Sequence, residues 1–406
     1  MVREEIDGAI PRPRQRVGAD GTATRPALLV VVSHYLPGYL AGGPVRSIEG
    51  IVEHLGDEFD IFIVTSDRDF GSQMPFPGIR TGQWVARGRA HVMYLNRRAF
   101  TARRLRRLLL EVEPEVLYLN SLFSVRFMVL PALVARVVRR SLPIVVAPRG
   151  SLDPGALVLG HTKKRLFLAV LKLIGLTRAV NWQATSRDEK KAIESALGPV
   201  RVSVAANFAP AVPEGRREEM AKEPGRVRMV FLSRVVPKKN LLFALERLAS
   251  VQGTVELTVA GPQEDVRYWA QCQRVIAEQL PHVRVSVVGA VPHDEVSDLL
   301  GHHHFFLLPT LGENFGHSIL EALGSGLGVL VSDRTPWRGL VGLGAGWDLD
   351  LADVAGWEQA LQRCCDMDQA EFSTLSKGAR QARSILPDVD EAVRANRRLF
   401  RTGSAR

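Results

Sequence analysis

The stretch Leu308-Pro309-Thr310-Leu311-Gly312-Glu313-Asn314-Phe315-Gly316-His317-Ser318-Ile319-Leu320-Glu321-Ala322-Leu323 passes from an apolar strand, through a polar glycine-bearing loop, into a helical pattern. Glu313 falls in the loop after the strand. A helix beginning near Gly316 or His317 presents free backbone N–H groups and the positive end of its dipole to an anion. Glu321, one turn in, can accept hydrogen bonds from vicinal hydroxyls such as those of a ribose. Two Glu eight positions apart arise often on helix faces, so the spacing alone says little; the strand before and the helix after give it weight.

Outward from this segment the same alternation continues. Arg228 to Leu232, Val255 to Ala260, Val283 to Val288, Phe305 to Leu308 and Gly328 to Ser332 read as strands, with helices such as Leu241 to Ser250 and His317 to Leu323 between them. In the first half, Leu28 to Val32, Phe59 to Thr65, Val116 to Leu119, Ile144 to Ala147, Val180 to Ala184 and Val202 to Ala206 form a second series. Continuous apolar strands separated by helix-length patterns mark a parallel sheet covered on both faces. Pro210, Pro213 and a charged stretch ending at Pro224 and Gly225 read as a linker between the two series. The expected organisation is a disordered tail over 1–26, an N-terminal domain over 27–208, a linker over 209–226, a C-terminal domain over 227–385, and a helix and tail over 386–406. The fold class is α/β: two Rossmann-like doubly wound parallel-sheet domains facing across a cleft at the carboxyl ends of their strands, where such folds bind ligands.

A chain of 406 residues with 46% hydrophobic and 24% charged content suits two globular domains and excludes wholesale disorder, collagen-like repeats and a polytopic membrane protein. The net charge of +10 is unevenly placed: residues 1–208 hold 30 Lys and Arg against 18 Asp and Glu, and the remainder holds 23 against 25. Arg97, Arg98, Arg103, Arg104, Arg106 and Arg107, then Arg136, Arg139 and Arg140, then Lys163, Lys164 and Arg165 concentrate it, which suggests an anionic surface partner for one domain. Cys272, Cys364 and Cys365 cannot build a disulfide framework and lack zinc-ligand spacing, which fits a reducing compartment. Residues 1–26 contain no apolar central region of a secretory signal, and Pro131, Arg136 and Lys172 interrupt the most apolar stretches, so the expectation is a cytoplasmic protein without a transmembrane helix.

Two further places suit phosphate. Gly42 and Gly43, followed by Pro44 and a helical pattern from Val45 to Leu55, let bare backbone approach an anion at a helix N-terminus, although a plain strand-to-helix turn reads the same way. Arg234 and Lys239 follow the strand ending at Leu232. A planar guanidinium fork beside an ammonium suits a pyrophosphate leaving group, the bland alternative being a solvated basic turn.

Taken in order, Gly42-Gly43-Pro44, Pro148-Arg149-Gly150-Ser151-Leu152, Ser233-Arg234 with Lys239, Ala260-Gly261-Pro262, Glu313 through Glu321 and Ser332-Asp333-Arg334-Thr335-Pro336-Trp337 resemble the retaining glycosyltransferases of the GT-B architecture, family 4, over roughly residues 27–385. The resemblance implies transfer of a sugar from a UDP- or GDP-linked nucleotide diphosphate sugar to a saccharide or lipid-linked acceptor, with retention, in surface or exopolysaccharide biosynthesis. It implies that Arg234 and Lys239 bind the diphosphate, Glu321 the ribose, and Glu313 the sugar near the reacting carbon. Asn314, Phe315, Gly316 and Ser318 would line the same pocket with Gly42 and Gly43. Arg149 and His34 are candidates on the acceptor side, and neither a metal nor another cofactor is implied. Asn240 after Lys239 and Asn314 after Glu313 stand where the family commonly has glycine.

Other features have blander readings. His302, His303 and His304 are consecutive, so their side chains point to opposite strand faces and cannot easily converge on one metal. Asp348 and Asp350 bracket Leu349 and belong to a strand edge. No Gly-x-Ser-x-Gly nucleophile elbow occurs at a sensible place, which disfavours a hydrolase. Lys163 to Ile174 is apolar with a basic edge and suits either a core helix or peripheral contact with an anionic membrane. A nucleotide-sugar epimerase of the same architecture is the alternative enzyme. A nucleic-acid-binding protein explains the charge but not the Glu313 to Glu321 segment, so no nucleic-acid partner is expected.

Overall fold

Strand β1 (Ala27–Val32) sends Leu29 and Val31 to one apolar cluster and Leu28, Val30 and Val32 to another, all of them buried. A strand covered on both faces needs no polar alternation, which is why the sequence there is continuously apolar. The computed structural model describes residues 25–153, 161–208, 220–279, 282–382 and 389–401. Most of the expected tail and of the expected linker lies outside them.

Eight strands form the first sheet: β1, β2 (Asp60–Ser66), β3 (Trp84–Arg87), β4 (Ala90–Leu95), β5 (Val116–Asn120), β6 (Ile144–Val146), β7 (Asn181–Ala184) and β8 (Arg201–Val204). Their order is β3-β4-β2-β1-β5-β6-β7-β8, and every neighbouring pair is parallel except β3 with β4. The second sheet has β9 (Arg226–Leu232), β10 (Thr254–Ala260), β11 (Val283–Gly289), β12 (Phe305–Leu308), β13 (Gly328–Ser332) and β14 (Gly346–Leu349). It is wholly parallel in the order β11-β10-β9-β12-β13-β14. In each sheet the order reverses beside the first strand of the domain, which places a crevice at the carboxyl ends of β1 and β9.

Three strands were not foreseen as such. The hairpin β3–β4 turns through Gly88, at φ 57, and carries Arg87, Arg89 and His91, so its apolar signal is broken. β14 is the edge strand, and its Asp348 accepts from the backbone N–H groups of Gly339 (3.1 Å) and Leu340 (2.9 Å). That satisfies the carboxylate locally, in keeping with the strand-edge reading of Asp348, whereas Asp350 falls just past the end of the strand.

The terminal helix Val389–Arg401 leaves the second sheet and packs on the first domain. Phe400 lies edge-on to Phe59 and Tyr118, with ring centroids 6.0 and 5.3 Å apart. Arg397 Nε donates to Glu58 at 2.7 Å, and Asn396 Nδ2 donates to the Ala206 carbonyl at 2.8 Å.

Candidate active site

On the C-terminal side of the cleft, three loops at strand ends are stitched together. After β9, the Ser233 N–H donates to the Ala260 carbonyl (2.9 Å), and residues Pro237–Lys239 make one 3-10 turn. The Lys238 carbonyl then accepts from the Leu311 N–H (2.8 Å) and from Thr310 Oγ1 (3.0 Å), so the loop carrying Glu313 is pinned to the loop carrying Lys239. Lys239 Nζ pairs with Glu313, both side chains being largely buried. Asn240, at φ 60, occupies the left-handed conformation, which Asn tolerates better than other side-chain-bearing residues; the departure from glycine there keeps the turn.

Burial alone would raise Glu313, but Lys239, Lys238 and the Asn314 N–H outweigh it and hold the carboxyl below its ordinary value. Arg234 Nη1 donates to both oxygens of Glu264, at 3.1 and 3.2 Å. Both expected phosphate-binding cations therefore already face carboxylates.

Gly316 precedes the helix His317–Gly324 at φ 80. A Cβ there would lie 2.9 Å from Trp337 Nε1, which donates to the Phe315 carbonyl at 2.9 Å. Only glycine fits, and Gly316, His317 and Ser318 at the start of this helix line the cleft. Glu321 projects from the next turn. Burial pushes its carboxyl up to about 7, with Arg46 opposing, and His293 Nδ1 lies 3.6 Å away.

The N-terminal side supplies Gly42 at φ 66, the helix Gly43–Leu55 with Arg46 in its first turn, and Arg149 on the loop after β6. Arg149 has φ 54, in the left-handed region, although it is not glycine. Its Nη2 donates to the Tyr118 hydroxyl at 2.6 Å, and that hydroxyl donates to Gln183 Oε1 at 2.6 Å. Across the cleft, Thr185 Oγ1 lies 3.0 Å from the side-chain amide of Asn314, so the second departure from glycine contributes a direct contact between the two domains.

One cavity of about 290 Å³ gathers these groups. Gly42, Gly43, Arg149, Arg234, Lys239, Glu313, Asn314, Phe315, Gly316, Ser318 and Glu321 all line it. His34 does not. It lies edge-on to Phe70 with ring centroids 5.4 Å apart, and burial lowers its pKa while Asp69 opposes. Arg46, Lys238, His293 and His317 line the cavity unforeseen. Lys238 and His317 adjoin foreseen residues in sequence, a signal that could have found them; Arg46 and His293 depend on the fold. Burial, reinforced by Arg149, pushes the His317 imidazole down to about 3, so it is neutral at physiological pH.

The remaining candidates resolve as structure. His303 Nε2 lies 2.8 Å from Thr258 Oγ1, and His304 Nδ1 accepts from the Arg228 N–H at 3.0 Å. Among the described residues there is no group of three or more His, Cys, Asp or Glu that could hold a metal, and no helix is long and apolar enough to cross a membrane. The helix His161–Leu173 is not a core helix throughout: Leu168 and Leu171 are buried, whereas Leu166 is 67% and Leu173 86% exposed.

The architecture is GT-B, two Rossmann-like α/β domains facing across a cleft. The sequence model of the family described as glycosyl transferases group 1 matches residues 226–366, within the C-terminal domain. The chain is 29% identical over 150 residues to the gpi3 subunit of phosphatidylinositol N-acetylglucosaminyltransferase from Schizosaccharomyces pombe, covering 35% of this chain and 31% of the relative. It thus spans about a third of the curated relatives it matches. Among solved structures, sucrose-phosphate synthase from Thermosynechococcus elongatus superposes with TM-score 0.69 at 16% identity over 93% of this chain and 99% of the other. HepE from Anabaena, in complex with UDP and glucose, superposes with TM-score 0.68 at 16% identity over 93% of this chain and 100% of the other.

Proposed function

We propose that the protein is a retaining, metal-independent glycosyltransferase that moves a sugar from a UDP- or GDP-linked donor to a saccharide or lipid-linked acceptor. The observation that carries this reading is the meeting of Arg234, Lys239, Glu313, Glu321 and a helix N-terminus in one cavity. In this reading Glu321 accepts the ribose hydroxyls. Arg234 and Lys239 exchange their carboxylate partners for the diphosphate, joined by backbone N–H groups at Gly316 and His317. Breaking the bond to the diphosphate puts negative charge on the leaving group and positive character on the sugar, so fixed cations at one end and Glu313 at the other stabilise both.

No covalent nucleophile is required: the leaving phosphate takes the acceptor proton on the face it departs from. Incubation with labelled donors, followed by analysis of the anomeric configuration in the product, tests this. Transfer with the donor's configuration is expected. A released epimer formed without acceptor indicates the epimerase instead, and a glycosyl adduct on Glu313 overturns the front-face route.

The acceptor side bears on location and pathway. Val137 is 87% exposed, and with Leu166 and Leu173 it occurs beside Arg136, Arg139, Arg140, Lys163 and Arg165 in the chain. Exposed apolar residues among cations suit peripheral contact with an anionic membrane, at the inner face of the cytoplasmic membrane, where a lipid-linked acceptor for surface or exopolysaccharide assembly would be met. Pelleting with liposomes should depend on anionic lipid; indifference to lipid charge removes this part of the proposal.

A further inference from the structure

Among the described residues, three side chains that line the cleft, Arg149, His317 and Asn207, have buried polar atoms without a hydrogen-bond partner, and the donor reading employs none of those atoms. Arg149 Nε and Nη1 are shut off from solvent without a partner, as are both ring nitrogens of His317. A guanidinium in such a place is costly unless an anion meets it. No described carboxylate pairs with Arg149: the nearby Glu189 spends its oxygens on the Gly150 N–H at 2.7 Å and on the Thr185 N–H and hydroxyl, each at 2.7 Å.

The orientation of Arg149 is nevertheless fixed. Its Nη2 is held by Tyr118, Tyr118 by Gln183, and Gln183 Nε2 donates to Asn396 Oδ1 of the terminal helix at 3.2 Å and to the Ala205 carbonyl at 2.9 Å. The guanidinium is thereby anchored through Nη2, while Nε and Nη1 have no partner among the described residues. A left-handed backbone at a residue that is not glycine is a further cost retained at this point.

Arg149 and His317 line the same cavity as Arg234 and Lys239, but whereas those two cations face Glu264 and Glu313, neither Arg149 nor His317 has a carboxylate hydrogen-bond partner among the described residues. Arg149 belongs to the N-terminal domain and His317 to the C-terminal one, so a ligand on both bridges the cleft. We propose that Arg149 and His317 form a second anion subsite, which takes a phosphate or carboxylate substituent of the acceptor, with Tyr118 as its positioning residue. The word acceptor rests on the glycosyltransferase reading; the anion subsite itself does not.

Calorimetric titration of the full chain, saturated with UDP, uses glucose 6-phosphate, glucuronate, inorganic phosphate and glucose as probes. At least one anion should bind about tenfold or more tightly than glucose, the size expected of a charge-assisted bond, and Arg149→Gln should abolish that preference while leaving UDP affinity unchanged. The phosphate and carboxylate arms tell which substituent is read. Tyr118→Phe, which keeps the ring packing, should weaken the anion several-fold without altering UDP or glucose binding, an effect that simple loss of stability does not produce. If all four probes bind alike, or if Arg149→Gln weakens UDP instead, the subsite is refuted. Should UDP itself fail to bind, the donor reading falls, and the same titrations without nucleotide still decide on the anion.

Discussion

Arg149 differs from the other arginines that line the cleft in how its charge is met. In the C-terminal domain, Lys239 faces Glu313 and Arg234 faces Glu264, so both of these cations are paired before any ligand arrives. In the N-terminal domain Arg46 pairs with Glu49, but Arg149 meets, among the described residues, only the neutral Tyr118 hydroxyl. A balanced site can be built into a stable loop system and exchange its carboxylates for phosphate on binding. An unbalanced cation stores an unfavourable interaction that only a ligand relieves.

The sharpest way to break this contrast is to remove one cation from each side. Lys239→Met strands a largely buried Glu313 and should cost about 3 kcal/mol or more in denaturant unfolding at pH 7. If stability is unchanged, the balance on the donor side is illusory. A pH series examines the other carboxylate. Because the Glu321 carboxyl is raised to about 7, the folded chain holds that proton more tightly than the unfolded chain, and stability should fall as pH rises from about 4.5 to 7. Glu321→Gln should flatten that slope, a difference on the order of 3 kcal/mol by pH 8. Parallel profiles for the two proteins would show Glu321 to be ordinary.

Arg149→Met, by contrast, should leave stability within about 1 kcal/mol or raise it, since it removes a cation with no carboxylate partner among the described residues. A large loss would mean that Arg149 is balanced after all. The smallest effect is expected from Glu264→Gln, which frees Arg234 at a partly exposed pair and should tighten nucleoside diphosphate binding by roughly threefold. Weaker binding would assign Glu264 to the ligand rather than to competition with it.

Local sequence pattern placed the cleft residues of the C-terminal domain more fully than their partners for a physical reason. Arg234, Lys239, Glu313 and Glu321 each lie within a few residues of a strand end or helix start, so local pattern suffices to place them. Partners such as Glu264, and lining residues such as Arg46 and His293, come from other elements and become visible only when the sheet order brings those elements together. The spacing of Val389, Val393 and Leu399 announced an amphipathic helix. Its docking on the first domain depends on Glu58, Phe59 and Tyr118, more than three hundred residues away for Glu58, and no local signal specifies that. The hairpin β3–β4 stayed hidden because Arg87, Arg89 and His91 interrupt its apolar pattern.

The central claim is that one cleft grips a nucleoside diphosphate between paired cations, helix-end amides and a ribose-binding carboxylate. Isothermal titration of the full chain with UDP and with GDP tests it directly. At least one should bind, with affinity reduced about tenfold or more by either Lys239→Ala or Glu321→Ala in folded protein. Heat signals absent for both nucleotides, or affinity untouched by both substitutions, would contradict the account.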